Sequence, residues 1–92
     1  MPEVQAQIMV RGRVQRVNYR ASLQQVALAL GVTGWVRNRA DGTVEAVLQG
    51  SPEAVQAVID WAWVGPRNAQ VVDLTKEWIS PAAVIAGFNV LD

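Results

Sequence analysis

Cysteine and histidine are both absent from this 92-residue chain. The first absence excludes disulfides, a thiolate nucleophile and cysteine-based zinc sites. The second removes the commonest general base and the commonest metal ligand. A metal carrier, which needs a cysteine pair or histidines, falls with them. Any chemistry must rest on carboxylates, guanidinium groups, amides, backbone groups or the substrate itself. No apolar run approaches the ~18 residues that span a bilayer, and the start MPEVQAQ has no signal-peptide pattern. A soluble cytoplasmic protein with no membrane partner is expected. Net charge is lacking too, at a formal +0, but the charges segregate. Residues 1–39 hold Arg11, Arg13, Arg16, Arg20, Arg37 and Arg39 against Glu3 alone, whereas residues 40–92 hold Arg67 and Lys76 against seven acids. A basic half suggests an anionic ligand; a solvated surface whose charges happen to segregate explains it equally well.

What is present is apolar. Hydrophobic residues make up 51 % of the chain, with four tryptophans, enough for a core at a size where burial is marginal. The length corresponds to one domain, residues 1–92, expected to act as a monomer. Ala6, Ile8 and Val10 alternate with polar residues from Gln5 to Arg11, with Met9 on the other side, which predicts a half-buried strand. From Arg20 to Leu30 the period changes, and Leu23, Val26, Ala27 and Leu30 form one stripe of a helix that Gly31 stops. Trp35–Asn38 and Thr43–Gln49 read as strands joined by an Asp41-Gly42 hairpin turn. Ser51-Pro52-Glu53 starts a second helix with a capping hydroxyl, a proline at the first position and an acid facing the dipole. Val55, Val58, Ile59 and Ala62 are its core stripe, and Gly65-Pro66 ends it. Gln70–Trp78 is a fourth strand whose Val71-Val72 pair breaks the alternation, and Phe88–Leu91 a possible fifth. The tryptophans Trp35, Trp61, Trp63 and Trp78 are expected in core or half-buried packing. The order β-α-β-β-α-β predicts an α+β, ferredoxin-like sandwich, two helices on one face of a mainly antiparallel sheet. That fold hosts many functions.

Chemistry is most easily placed at the first strand-to-helix turn. Amides at a helix start have no internal partner and carry partial positive charge, and a loop that turns further amides inward makes a nest for phosphate oxygens. Arg20 stands in the first turn, where a planar fork of donors can reach a phosphate. From spacing alone, the simpler reading of Arg20 is a solvated helix end, and that of Asn38 a turn residue at a strand end.

The run Gly12-Arg13-Val14-Gln15-Arg16-Val17-Asn18-Tyr19-Arg20 resembles the signature of the acylphosphatase family, G-x-V-Q-G-V-x-F/Y-R. A second block of that family is present as Ala27-Leu28-Ala29-Leu30-Gly31-Val32-Thr33-Gly34-Trp35-Val36-Arg37-Asn38. It continues through Asp41-Gly42-Thr43-Val44-Glu45, Gly50 and Gly65-Pro66, with Ala69 and Val71, so that the similarity covers residues 5 to 78. Two spaced blocks in the correct order carry far more weight than a lone glycine motif.

The resemblance implies hydrolysis of acyl phosphates to a carboxylate and inorganic phosphate, without metal or organic cofactor. It implies that the amides of Gln15, Arg16, Val17, Asn18, Tyr19 and Arg20 cradle the phosphate, that the Arg20 guanidinium clamps it, and that Asn38 holds the attacking water. It further implies that the substrate's own phosphate takes the water's proton, in keeping with a chain that lacks histidine and cysteine. The family's mid-loop glycine is Arg16 here, at a place where glycine usually means positive φ or close approach of the backbone to a ligand. The alternative is therefore an impaired relative that only binds anions. An RNA-recognition module shares the element order, but its aromatic third strand is missing: Thr43–Gln49 has no aromatic and an acid at Glu45, so no nucleic-acid partner is expected. Asp41, Glu45 and Asp60 form no acid–base couple by spacing, and Arg13 and Arg37 are expected only to raise the local potential.

Overall fold

The computed structural model describes residues 3–81 and 83–91. Of the features read above, the first two residues of the MPEVQAQ start and the terminal Asp92 lie outside them. The elements are β1 (Val4–Arg13), α1 (Tyr19–Ala29), β2 (Thr33–Asn38), β3 (Val44–Gly50), α2 (Pro52–Val64), β4 (Gln70–Ile79) and β5 (Phe88–Leu91). The strands form one sheet in the order β4-β1-β3-β2-β5. β1 runs antiparallel to β3 and β4, β2 antiparallel to β3, and β5 parallel to β2. This is the ferredoxin-like arrangement, with a fifth strand added at the β2 edge. No described helix is long and apolar enough to cross a membrane.

Strand periodicity decides which face is filled. Ala6, Ile8 and Val10 of β1 stand opposite Leu48, Ala46 and Val44 of β3, and all six are buried beneath the two helices with Val36, Leu74 and Phe88. α2 contributes Val55, Val58, Ile59 and Ala62, as its stripe predicts. Each of its buried Val and Ile side chains adds about 1.5–3 kcal/mol of transfer free energy. Ser51 Oγ accepts the Ala54 amide at 3.2 Å, Pro52 opens the helix, and Gly65 ends it at a positive φ of 71°. α1 buries Tyr19, Leu23 and Ala27 with Val26 partly covered. Leu30, expected on the same stripe, is 42 % exposed, because the helix has ended at Ala29 and Leu30 has left helical geometry.

The broken alternation at Val71-Val72 is a β-bulge. Gly12 pairs with Val71 and Arg11 with Asp73, which leaves Val72 as the extra residue. Gly12, at φ 123°, is required there, since a Cβ would run into the Gln70 carbonyl oxygen. Pairing resumes past the bulge at Gly12 and Arg13, where β1 ends and the loop that precedes α1 begins.

Two of the four tryptophans depart from expectation. Trp35 and Trp61 are half-buried, but Trp63 and Trp78 are 47 % and 46 % exposed. Smaller aliphatic residues fill the core, and Lys76 Nζ lies 5.6 Å from the Trp78 ring. On the sheet face away from the helices, Glu45 is buried and holds Arg37 at 2.6–2.7 Å and Arg39 at 3.3 Å. Gln7 Nε2 donates to its other oxygen. Burial alone would raise the Glu45 pKa; the hydrogen bonds from Arg37 and Gln7 and the charges of Arg37 and Arg39 outweigh it and hold the carboxyl below its usual range. Arg37 therefore does more than raise a potential: with Arg39 it fastens both sides of Asn38 to β3.

Candidate active site

The loop from Val14 to Asn18 is shaped by two left-handed residues. Arg16 has φ 63° and Asn18 φ 65° with ψ 27°. Asparagine takes this conformation more readily than other L-residues, whereas arginine pays for it. Arg16 thus adopts the backbone sign that the family's glycine adopts freely. Gln15 fixes the loop from the other side: its Nε2 donates to Arg39 O at 2.8 Å and Thr43 O at 3.0 Å, across the mouth of the β2–β3 hairpin. Asp41 Oδ1 braces that hairpin by accepting from the Thr43 amide and hydroxyl, which holds its carboxyl below the usual range.

Tyr19 anchors the far end of the loop. Its ring is buried against Trp61 at 5.6 Å, and its hydroxyl donates to Ala62 O at 2.7 Å, so burial pushes the phenol pKa well above its ordinary value. The side chain serves the core, and only the backbone of Tyr19 remains for a ligand. α1 then starts without a side-chain cap and with no acid in its first turn, in contrast to Ser51 and Glu53 at the start of α2. Its first amides and its dipole are left for an external anion.

These features surround a cleft of about 150 Å³ lined by Val14, Arg16, Asn18, Tyr19, Arg20, Ala21, Asn38 and Val90. Of the residues expected at the site, Arg16, Asn18, Tyr19, Arg20 and Asn38 line it; Gln15 and Val17 do not, Gln15 being spent on the hairpin and Val17 packed against the core. Asn38 is the last residue of β2, on the sheet face that carries the helices, opposite Val44. Its Oδ1 is buried without a hydrogen-bond partner among the described residues. An unpaired buried acceptor costs ~1–3 kcal/mol unless a donor from outside the chain meets it. Arg20 Nη1 donates to Leu91 O at 2.6 Å, which fixes the guanidinium above the loop.

Sequence reasoning missed Val90, which lines the cleft from β5, and Leu91, whose carbonyl oxygen accepts from Arg20. Seventy-one positions separate Arg20 from Leu91, and no local signal connects them. Three of the six arginines in the basic half pair with acids of the other half: Arg11 lies 3.5 Å from Asp73, and Arg37 and Arg39 meet Glu45 and Asp41. Arg16 and Arg20 have no carboxylate partner among the described residues, and no acid lines the cleft.

The strain at Arg16 has a measurable consequence. Arg16→Gly is expected to leave stability unchanged or raise it by up to about 1 kcal/mol. Relief of a conformation costing ~1–2 kcal/mol offsets the greater freedom of glycine in the unfolded chain. A denaturation midpoint clearly below that of the parent would show that the Arg16 stem packs against the loop and stabilises it.

The acylphosphatase family pattern matches residues 6–90, extending past the sequence blocks to include β5. The chain is 43 % identical to an acylphosphatase of Pelotomaculum thermopropionicum over 98 % of both chains. It is 47 % identical to that of Thermococcus kodakarensis over 99 % of both. The crystal structure of acylphosphatase from Bacillus subtilis superposes with a TM-score of 0.94 at 30 % identity, covering 97 % of this chain and 99 % of that one.

Proposed function

The chain belongs to the acylphosphatase family and hydrolyses acyl phosphates to a carboxylate and inorganic phosphate; on that premise we propose how its cleft does so. The transferred phosphoryl group sits over the uncapped start of α1, its peripheral oxygens taken by the amides of the loop from Gln15 to Arg20 and by the Arg20 fork. Water attacks phosphorus from the Asn38 side, in line with the departing acyl oxygen. The single observation that carries this reading is the unpaired Asn38 Oδ1 in the same cleft as Arg20. A water that donates one hydrogen to Oδ1 has its lone pair and its second hydrogen free to meet the phosphoryl group.

The chemistry makes modest demands on the protein. The leaving group is a carboxylate, whose conjugate acid has a pKa of about 4, so it departs without a general acid. Phosphoryl transfer runs through a loose transition state in which positioning and stabilisation of charge on the peripheral oxygens supply most of the acceleration. A phosphoryl oxygen takes the water's proton as the P–O bond forms, which removes the need for the histidine that the chain lacks. The expected setting is a cytoplasmic monomer with the acyl phosphate and inorganic phosphate as its small-molecule partners.

The test is hydrolysis of benzoyl phosphate followed with and without a chelator. Hydrolysis competitively inhibited by inorganic phosphate, and unchanged by the chelator, is expected. Loss of activity in the chelator would overturn a mechanism carried by Arg20 and Asn38 alone.

A further inference from the structure

Two guanidinium groups line the cleft, but a single phosphoryl group is all the anion the reaction requires there. Arg20 is committed: it is held by Leu91 O and stands in the first turn of α1, beside the helix amides. Arg16 is not. It is exposed, takes part in no hydrogen bond or ion pair among the described residues, and lines the same cleft. Arg11, Arg37 and Arg39 are each matched by a carboxylate, and Arg13, likewise without an ion pair among the described residues, does not line the cleft. The backbone at Arg16 is held at positive φ, a cost that glycine avoids. Strain retained beside a binding cleft points to a role for the side chain that carries it.

Of the remaining lining, Val14, Ala21 and Val90 are apolar, and Asn18, Tyr19 and Asn38 are polar but uncharged. None of the six brings a positive charge to the acyl portion of a substrate. Arg16 is exposed on the lining of the same cleft that is proposed to hold the phosphoryl group, within reach of a substrate that protrudes from it. We propose that Arg16 is a specificity determinant that selects acyl phosphates whose acyl group carries a second negative charge, such as the monophosphate anhydride of a dicarboxylic acid, over neutral acyl phosphates. The proposal rests on the acylphosphatase reading above and adds to it the class of acyl group.

Succinyl phosphate and butyryl phosphate make a matched pair, alike in chain length and leaving-group type and differing in a terminal carboxylate against a methyl. The readout is the ratio of their kcat/KM values in the parent, in Arg16→Gly and in Arg16→Lys. The parent is expected to favour succinyl phosphate. Arg16→Gly should lower the succinyl-to-butyryl ratio by about tenfold at low ionic strength, with the difference shrinking as salt screens an exposed charge beyond about 10 Å at 0.1 M. Arg16→Lys should keep part of the preference, since it keeps the charge but not the fork. A ratio that is unchanged or higher in Arg16→Gly overturns the proposal. If both substrates then fall together while phosphate inhibition weakens, Arg16 is instead a second ligand of the transferred phosphoryl group. Failure of the parent to hydrolyse either substrate is a different failure: it removes the acylphosphatase reading itself, and the specificity assignment with it.

Discussion

Arg20→Ala is expected to lower kcat/KM for benzoyl phosphate by about a thousandfold, equivalent to ~4 kcal/mol of transition-state stabilisation. The loss should appear in both binding and rate. A guanidinium on the phosphoryl oxygens acts in the ground state and more strongly as charge gathers on them. Inorganic phosphate should therefore inhibit the variant far less well than the parent. Arg20 also donates to Leu91 O, so its removal frees the β5 end that carries Val90, another wall of the cleft. Arg20→Lys separates the two contributions. A lysine keeps the charge, but as a point donor it cannot hold the Leu91 carbonyl and two phosphoryl oxygens at once. It should recover less than about a tenth of the lost activity. A lysine variant with nearly full activity would mean that the cleft needs only a positive potential and that the fork is immaterial.

Asn38→Ala should fail in a different way. Its kcat is expected to fall about a hundredfold, ~2.7 kcal/mol, with KM and phosphate inhibition changed by less than about threefold, because orienting a water adds little to ground-state binding. Stability gives the second readout. The change deletes a buried oxygen that has no protein partner among the described residues, so no protein hydrogen bond is lost at that atom. Removing an unsatisfied acceptor is neutral or favourable by up to ~1 kcal/mol. A folding midpoint no lower than the parent's, together with the fall in kcat, identifies Asn38 as a residue retained for catalysis. Near-normal kcat would remove its role with the water. A drop in both kcat and stability would assign it to the β2 end as a structural residue.

Arg20 and Asn38 were singled out as candidates only because each lies in a block that resembles the acylphosphatase family; spacing alone marked neither. Gln15 was legible only in part. Its place in the signature marks it, but its side chain serves the hairpin at Arg39 and Thr43, a contact that depends on how β1 and β2 are arranged around β3. Glu45 formed no acid–base couple by spacing, and in the fold its carboxylate clamps Arg37 and Arg39. The tryptophans misled because size and hydrophobicity favour burial on average, whereas Trp63 and Trp78 fall on positions whose neighbours leave them half in water.

By itself the sequence determined what depends on short-range rules. Alternation and the 3.6-residue period placed the strands and helices, Ser51-Pro52-Glu53 started α2, and Asp41-Gly42 turned the hairpin. All of these act within a few residues, where sterics and local hydrogen bonds decide. Tertiary structure alone decided the rest: the bulge that expels Val72, the parallel docking of β5 on β2, the Leu91 carbonyl that fixes Arg20, and the isolation of Asn38 Oδ1. The reason is that an edge strand is chosen by the total apolar area it buries and the backbone groups it pairs. Those quantities are summed over contacts from distant parts of the chain, and no window of the sequence contains them.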